Sequence, residues 1–418
     1  MQYLKKADAI SSEVTEETEQ IVKQIIKDVK QGGDEAVKRY EKKFSDSVRP
    51  IRISEEELNE GIASLSDETK RLIERVVDRV TAFAEAQLEC LQPLDKDFGE
   101  GIRMGHRVIP VEKVGAYVPG GRFPLLSSGP MVTVPAKVAG AKQIIACSPA
   151  NYKGSIHPAV LYGLHCSGVT DIFAVGGAQA VAAMAVGTDT VPEVDVIAGP
   201  GNRFVAEAKR QVFGRVGIDL IAGPSEVLVF ADEHANPRWC AADLLAQAEH
   251  DPNARAILVS TSEEQAAQTI IEVEKYLKQL SEDSPAHTAW EKAGEVVVVD
   301  STEQGIDVCD DYAIEHLHVH LQSYEEIKNS LSNYGSIFLG EESSVVFSDK
   351  VSGTNHTLPT QRGARYTGGL WVGNFVKVAT HQEITGRGTQ HLAAHATQQS
   401  EIEGLEGHRL SAEVRLEK

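Results

Sequence analysis

The 418-residue sequence is poor in several things at once. It has five cysteines, Cys90, Cys147, Cys166, Cys240 and Cys309, and no C-x-x-C pair among them. That excludes a thiolate metal site and a disulfide-built fold. An odd, dispersed set predicts reduced core thiols in a cytoplasmic protein. A metal, if held, must take nitrogen and oxygen ligands. Positive charge is also short: 41 Lys and Arg stand against 61 Asp and Glu, a net charge of −20. So acidic a surface repels phosphate backbones, which excludes nucleic acid as a partner. The basic stretch around Lys209 and Arg210 is too small to reverse this. No window approaches the ~18 uncharged apolar residues of a membrane-spanning helix. Residues 1–10, with Lys5, Lys6 and Asp8, predict no secretory leader and no membrane partner.

What is present is ordinary globular composition, 42% hydrophobic and 24% charged, over a length that suits two large units or three smaller ones. Residues 11–91 predict a helical layer. Apolar positions Ile21, Val22, Ile25, Ile26 and Val29 follow an acidic start, Gly32-Gly33 stops the run, and further helical patterns cover 34–44 and 65–91. Beyond residue 102 short apolar runs alternate with helical segments. Strands are predicted at 107–109, 114–118, 143–147, 171–175, 194–198, 218–222 and 226–231, with helices at 128–140, 156–167, 177–187 and 202–214. After a seam at 232–237 the alternation resumes, with helices at 238–249, 262–280 and 323–331 and strands at 256–260, 295–300 and 336–339. This predicts two doubly wound, Rossmann-like parallel-sheet domains with a helical N-terminal layer. The tail from 382 to 406 reads as polar helix that cannot form a core of its own.

Four glycine-rich loops stand at predicted strand ends: 118–121, 175–179, 198–202 and 222–225. In open α/β sheets ligands bind beyond the carboxyl ends of strands, and amides at helix starts suit a pyrophosphate. None matches G-x-G-x-x-G or the P-loop, so tight βα turns remain the plainer reading of any one of them. Gln247 and His250 lie three apart at a helix end before Pro252, which fits either a capping pair or a site facing a cleft. Glu315 and His316 set an acid beside a base. If extended, the segment puts His316, His318 and His320 on one face, a metal cluster or a solvated edge strand. The 348–356 loop adds Asp349 and His356, and the tail adds Glu403 and His408. Together Gln247, His250, Asp349 and His408 offer two nitrogens and two oxygens, a set suited to zinc if the fold brings them together.

The ordered runs Gly176-Gly177-Ala178-Gln179-Ala180, Gly199-Pro200-Gly201-Asn202, Ala222-Gly223-Pro224-Ser225-Glu226, Gln247-Ala248-Glu249-His250, Glu315-His316-Leu317, Ser352-Gly353-Thr354-Asn355-His356 and Glu403-Gly404-Leu405 with His408 resemble the histidinol dehydrogenase family. The match runs from about Val114 to His408. The resemblance implies a zinc- and NAD-dependent homodimer that oxidises a primary alcohol through an aldehyde to a carboxylate. It implies zinc ligands Gln247, His250, Asp349 and His408, and the acid/base pair Glu315 and His316. Tyr117, Gln179 and Asn202 would contact NAD. Ser225 and Glu403 would lie near the substrate, beside the zinc ligands and His316. The tail would cross to the partner subunit. The expected domains are residues 1–105 with 235–365, residues 106–234 on the NAD side, and an exchanged helical tail over 366–418.

Some residues depart from the usual pattern. Ile314 stands where Pro usually precedes Glu-His, and His318 where an acid is common. The runs at 120–126 and 365–373 look more like a paralogous branch, the sulfopropanediol dehydrogenases. There Arg122 or Arg365 could hold a sulfonate, or serve loop packing or NAD phosphates. Histidinol is the family default, and 2,3-dihydroxypropane-1-sulfonate, oxidised to sulfolactate, is the alternative. A catalytically idle zinc- and nucleotide-binding paralog is a third reading, and the retention of both Glu315 and His316 argues against it.

Overall fold

A computed structural model describes residues 1–8, 15–120 and 124–417. Two parallel sheets carry the chain. One is five-stranded, in the order Asp171–Phe173, Gln143–Cys147, Lys113–Tyr117, Val196–Ala198, Gly217–Ile218. The other is six-stranded, in the order Gln2–Lys5, Gly294–Val298, Arg255–Ser260, Glu226–Ala231, Ile314–His320, Tyr334–Leu339, with only Gln2–Lys5 antiparallel. In each, the chain winds outward from a central strand and then returns to that strand's other side. This is the doubly wound topology that the strand–helix alternation predicts. The central strands are buried along both faces, which is why they read as unbroken runs such as Glu226–Ala231.

The helical N-terminal layer is present, but its place differs from the expected boundary. The helix Glu16–Ser45 lies on Gly177–Val186 and Arg203–Val212, Glu55–Ala63 lies on Pro158–Cys166, and Asp67–Glu89 lies on Ser128–Ala139. All of these are helices of the five-stranded half. The cause is a shared apolar cluster in which Val22, Ile25 and Val29 bury against the alanine-rich 180–185 segment. Only Gln2–Lys5 joins the other sheet. Gly32-Gly33 does break the first helix, as a kink: Gly33 takes φ +50 and the helix resumes. The beginning of the expected 11–91 layer, residues 11–14, lies outside the described residues.

The tail is not wholly helical. Val376–Ile384 is a strand paired antiparallel with Ile102–Pro110, and Leu94–Asp97 completes a three-stranded sheet. The helices Arg387–Glu403 and Glu406–Glu413 follow. This ribbon is largely exposed, so it lacks the apolar run that would announce it. The expected 218–222 strand is also shorter, ending at Ile218. Of the cysteines, Cys147, Cys240 and Cys309 are buried, whereas Cys90 is exposed at a helix end. Among the described residues no helix is long and apolar enough to cross a membrane.

Candidate active site

A cavity of about 780 Å³ lies where the two sheets meet. The five-stranded sheet presents its carboxyl ends there, through Tyr117, the turn at Gly176-Gly177 and the turn at Pro200-Gly201. The six-stranded sheet presents its amino ends instead: Ser225 precedes Glu226–Ala231, and Glu315 and His316 open Ile314–His320. The carboxyl-end rule therefore locates the site on one sheet and misses it on the other.

On the first side, loops are fixed by buried polar groups. Gly176 N–H and Gln179 Nε2 both donate to Glu41 Oε1, at 3.0 and 2.7 Å. Gly177 N–H donates to the Tyr117 hydroxyl at 3.1 Å. Burial pushes that hydroxyl up to about 12, so it remains protonated. Asn202 caps the helix Arg203–Val212, its Oδ1 accepting from Phe204 N and Val205 N. A buried ion pair, Lys209 with Asp219, grips the turn between: Lys209 donates to Gly199 O at 3.0 Å and Gly199 N–H donates to Asp219 at 2.7 Å. Gly199 has φ +123, and a Cβ there would meet Tyr117 O at 2.0 Å, so only glycine fits. Tyr117, Gln179 and Asn202 all line the cavity, and Ile21, Ile25 and Phe44 of the first helix wall it.

On the second side, helix Pro237–Ala248 starts on an Asn236 cap with Pro237 in its first turn, and ends where Pro252 would have no amide to give. That delivers Gln247 and His250 to the cavity. Asp349, on the short helix Val345–Lys350, meets both. Its Oδ2 accepts from Gln247 Nε2 at 3.3 Å and lies 3.8 Å from His250 Nε2. Three of the four expected zinc ligands thus meet at the Asp349 carboxylate. His408 does not join them; it and Glu403 sit exposed on the tail helices, away from the cavity of their own chain.

Glu315 and His316 both reach the cavity although they are sequence neighbours on a strand. Glu315 Oε2 accepts from Glu226 N–H at 2.8 Å and lies 3.4 Å from His316 Nδ1. His316 Nδ1 also lies 2.9 Å from the Glu226 carbonyl, so Nδ1 carries the proton and donates to it. The other nitrogen, Nε2, is buried with no protein partner. Burial pulls this imidazole's pKa down, but the charge and hydrogen bond of Glu315, helped by Asp349, overrule it and lift His316 to about 9. The triple-histidine face is not a solvated edge: Ile314–His320 lies inside the sheet and is buried throughout.

Comparison with known proteins gives the same reading. The histidinol dehydrogenase family model matches residues 9–416. The chain belongs to the histidinol dehydrogenase family. It is 42% identical to a histidinol dehydrogenase of Geobacter sulfurreducens, over 98% of this chain and 95% of that protein. It is 40% identical to a sulfopropanediol 3-dehydrogenase of Ruegeria pomeroyi, over 100% and 97%. A crystal structure of histidinol dehydrogenase from Elizabethkingia anophelis superposes with a TM-score of 0.92 at 37% identity, covering 98% of this chain and 94% of that one. As a family member the chain is an oxidoreductase, a dehydrogenase.

Within the histidinol dehydrogenase frame, several contributors carried no assigned role in the sequence. Glu41 holds the glycine turn from a distant helix, and Glu226 supplies both backbone contacts to the acid/base pair. His356 lies half-buried on the cavity wall, 3.8 Å from Asp349 Oδ1. Glu226 and His356 had a signal, closing the runs Ala222-Gly223-Pro224-Ser225-Glu226 and Ser352-Gly353-Thr354-Asn355-His356. Arg365 lies off the cavity of its own chain, bonded to Asp311 at 3.0 Å. Arg122 lies outside the described residues.

Proposed function

We propose that the chain catalyses the NAD-linked, four-electron oxidation of a primary alcohol through a bound aldehyde to a carboxylate. The observation that carries this is the partnerless His316 Nε2 facing a cavity shared by a metal-ready donor set and a glycine-loop wall. Gln247, His250 and Asp349 fit a nitrogen- and oxygen-ligated zinc. His408 of a second copy is the proposed fourth ligand, with Glu403 of that copy near the substrate, which makes the working unit a homodimer. Zinc held there would anchor and polarise the alcohol oxygen, and NAD along Tyr117, Gln179 and Asn202 would accept hydride. The NAD-side unit is read as residues 106–234 with the N-terminal helices, and the setting as cytoplasmic.

The chain's own groups then divide the proton work. With its pKa lifted to about 9 the His316 ring is charged at neutral pH, so it serves as base once deprotonated towards alkaline pH, when Nε2 takes the hydroxyl proton as the carbinol hydride leaves. The Glu226 carbonyl holds the ring in the tautomer that keeps Nε2 free. Glu315 has one oxygen fixed by Glu226 N–H, and its carboxylate takes a proton from the water that adds to the aldehyde. The protonated His316 gives its proton to the aldehyde oxygen as the hydroxide adds, which completes the hydrate and frees Nε2 to accept the hydrate's hydroxyl proton as the second hydride departs. Ser225 borders the same space and would orient the substrate's polar end.

L-Histidinol, giving L-histidine, is the proposed substrate. A second reading, the sulfonated diol, is supported by the Lys350 side chain on the cavity wall and by the relative from Ruegeria pomeroyi. The test is NADH formation with histidinol and 2,3-dihydroxypropane-1-sulfonate side by side. Two NADH per histidinol is the expected result. Two NADH per sulfonate alone would transfer the reading to the second substrate, and no NADH with any primary alcohol would leave the idle paralog standing.

A further inference from the structure

One helical turn below Gln247 is a second cluster that the proposed reaction does not use. Asp243, His318 and His320 are all buried, and one ligand atom from each lies within 4.8 Å of the other two. Asp243 Oδ2 lies 3.1 Å from His318 Nδ1 and 3.5 Å from His320 Nε2. We propose that Asp243, His318 and His320 form a second divalent-cation site, separate from the cavity donors and suited to zinc.

Geometry, donor chemistry and surroundings agree. Zinc bonds of about 2.0–2.1 Å to nitrogen and oxygen place tetrahedral ligands roughly 3.3 Å apart, and both measured contacts bracket that value. An ion therefore needs little rearrangement; it takes the place of the proton that now closes the Asp243–His318 contact. A hydrogen-bond network alone serves His320 poorly. Its Nδ1 lies 3.4 Å from Cys240 Sγ, which also accepts from Gln265 Nε2 at 3.5 Å. Its Nε2 is buried without a hydrogen-bond partner, 3.5 Å from Asp243 Oδ2. The outer contacts are built as well: Ser344 Oγ donates to Asp243 Oδ1 at 2.6 Å and fixes the carboxylate from behind. His318 and His320 alternate on one strand face, and Asp243 comes from the helix that covers it. The site is closed to solvent, so its ion would enter on folding and exchange slowly.

The test counts zinc per folded chain after expression with zinc and gel filtration over chelator. Wild type should hold two, the cavity variant His250→Ala/Asp349→Ala one, and that variant with His320→Gln added none. A folded cavity variant with no zinc would overturn the inference. One zinc in both wild type and the cavity variant would sustain it while removing the zinc proposed for the cavity. Should the cavity variant not fold, wild type decides under prolonged native EDTA treatment: one ion retained supports the site, none overturns it.

Discussion

The two halves of the molecule both bury charge around the cavity, but they aim it differently. In the five-stranded half the buried groups hold backbone. Glu41 takes Gly176 N–H, and Lys209 with Asp219 clamps Gly199 from both sides. In the six-stranded half they hold ionisable side chains: Glu315 beside His316, Glu226 behind both, Asp243 beneath His318. In the first, charge fixes the backbone of the glycine turns that line the cavity. In the second, charge sets who keeps a proton. Damage to the first should therefore show in cofactor affinity or stability, and damage to the second in turnover or pH dependence.

The largest effect should come from His316→Ala. Loss of a general base removes about 10²–10⁴-fold in kcat, while NAD affinity and metal content stay near wild type. Steady-state kinetics with zinc analysis checks this, and an unaltered kcat would end the role given to His316. Lys209→Met should come next. It leaves Asp219 charged and buried, at a cost of about 3–5 kcal/mol in denaturant unfolding. The double variant Lys209→Met/Asp219→Asn should recover much of that loss. A single variant as stable as wild type would show that the ion pair does not hold the turn.

Glu41→Gln is the more selective probe of the cofactor side. Glu41 accepts from the loop amide and from Gln179, and a hydrogen bond to a charged group is worth about 1.5 kcal/mol, or roughly tenfold. We expect KM for NAD to rise by that factor with kcat little changed. A fall in kcat at constant KM would contradict the division of labour between the halves.

How much of this was legible follows the same division. Strands such as Glu226–Ala231 are buried on both faces, so their apolar runs announce themselves, and the doubly wound fold follows. The ordered motifs placed Gln247, His250, Asp349, Glu315 and His316, and the fold does bring these together. Packing partners were not legible. Nothing in Val22, Ile25 and Val29 says that they cover the helices of the five-stranded half. Glu41 looks like any helix carboxylate until the chain folds it against Gly176. The Val376–Ile384 strand escaped because an exposed ribbon has little hydrophobic signal. His408 reads as a ligand only by resemblance, since its own chain leaves it in solvent.

The smallest predicted effect sharpens the proton side of the comparison. Burial raises the Glu226 carboxyl to about 7, with Arg255 opposing and Glu315 reinforcing. In the unfolded chain the same group titrates near ~4.3. The folded chain thus keeps this proton over a window where the unfolded chain has lost it. The stability tied to that proton is complete below ~4.3 and drains away as pH rises towards about 7, beyond which the penalty is constant. Glu226→Gln has the same shape and no titration. Its melting temperature, measured against wild type, should therefore improve by a few degrees between pH 4.5 and 7.5. Turnover should change little, because His316 is held by the backbone carbonyl of residue 226 and not by its side chain. Parallel melting curves for the two proteins across that range would mean that Glu226 is already ionised in the folded state, with Arg255, 3.7 Å away, compensating its charge.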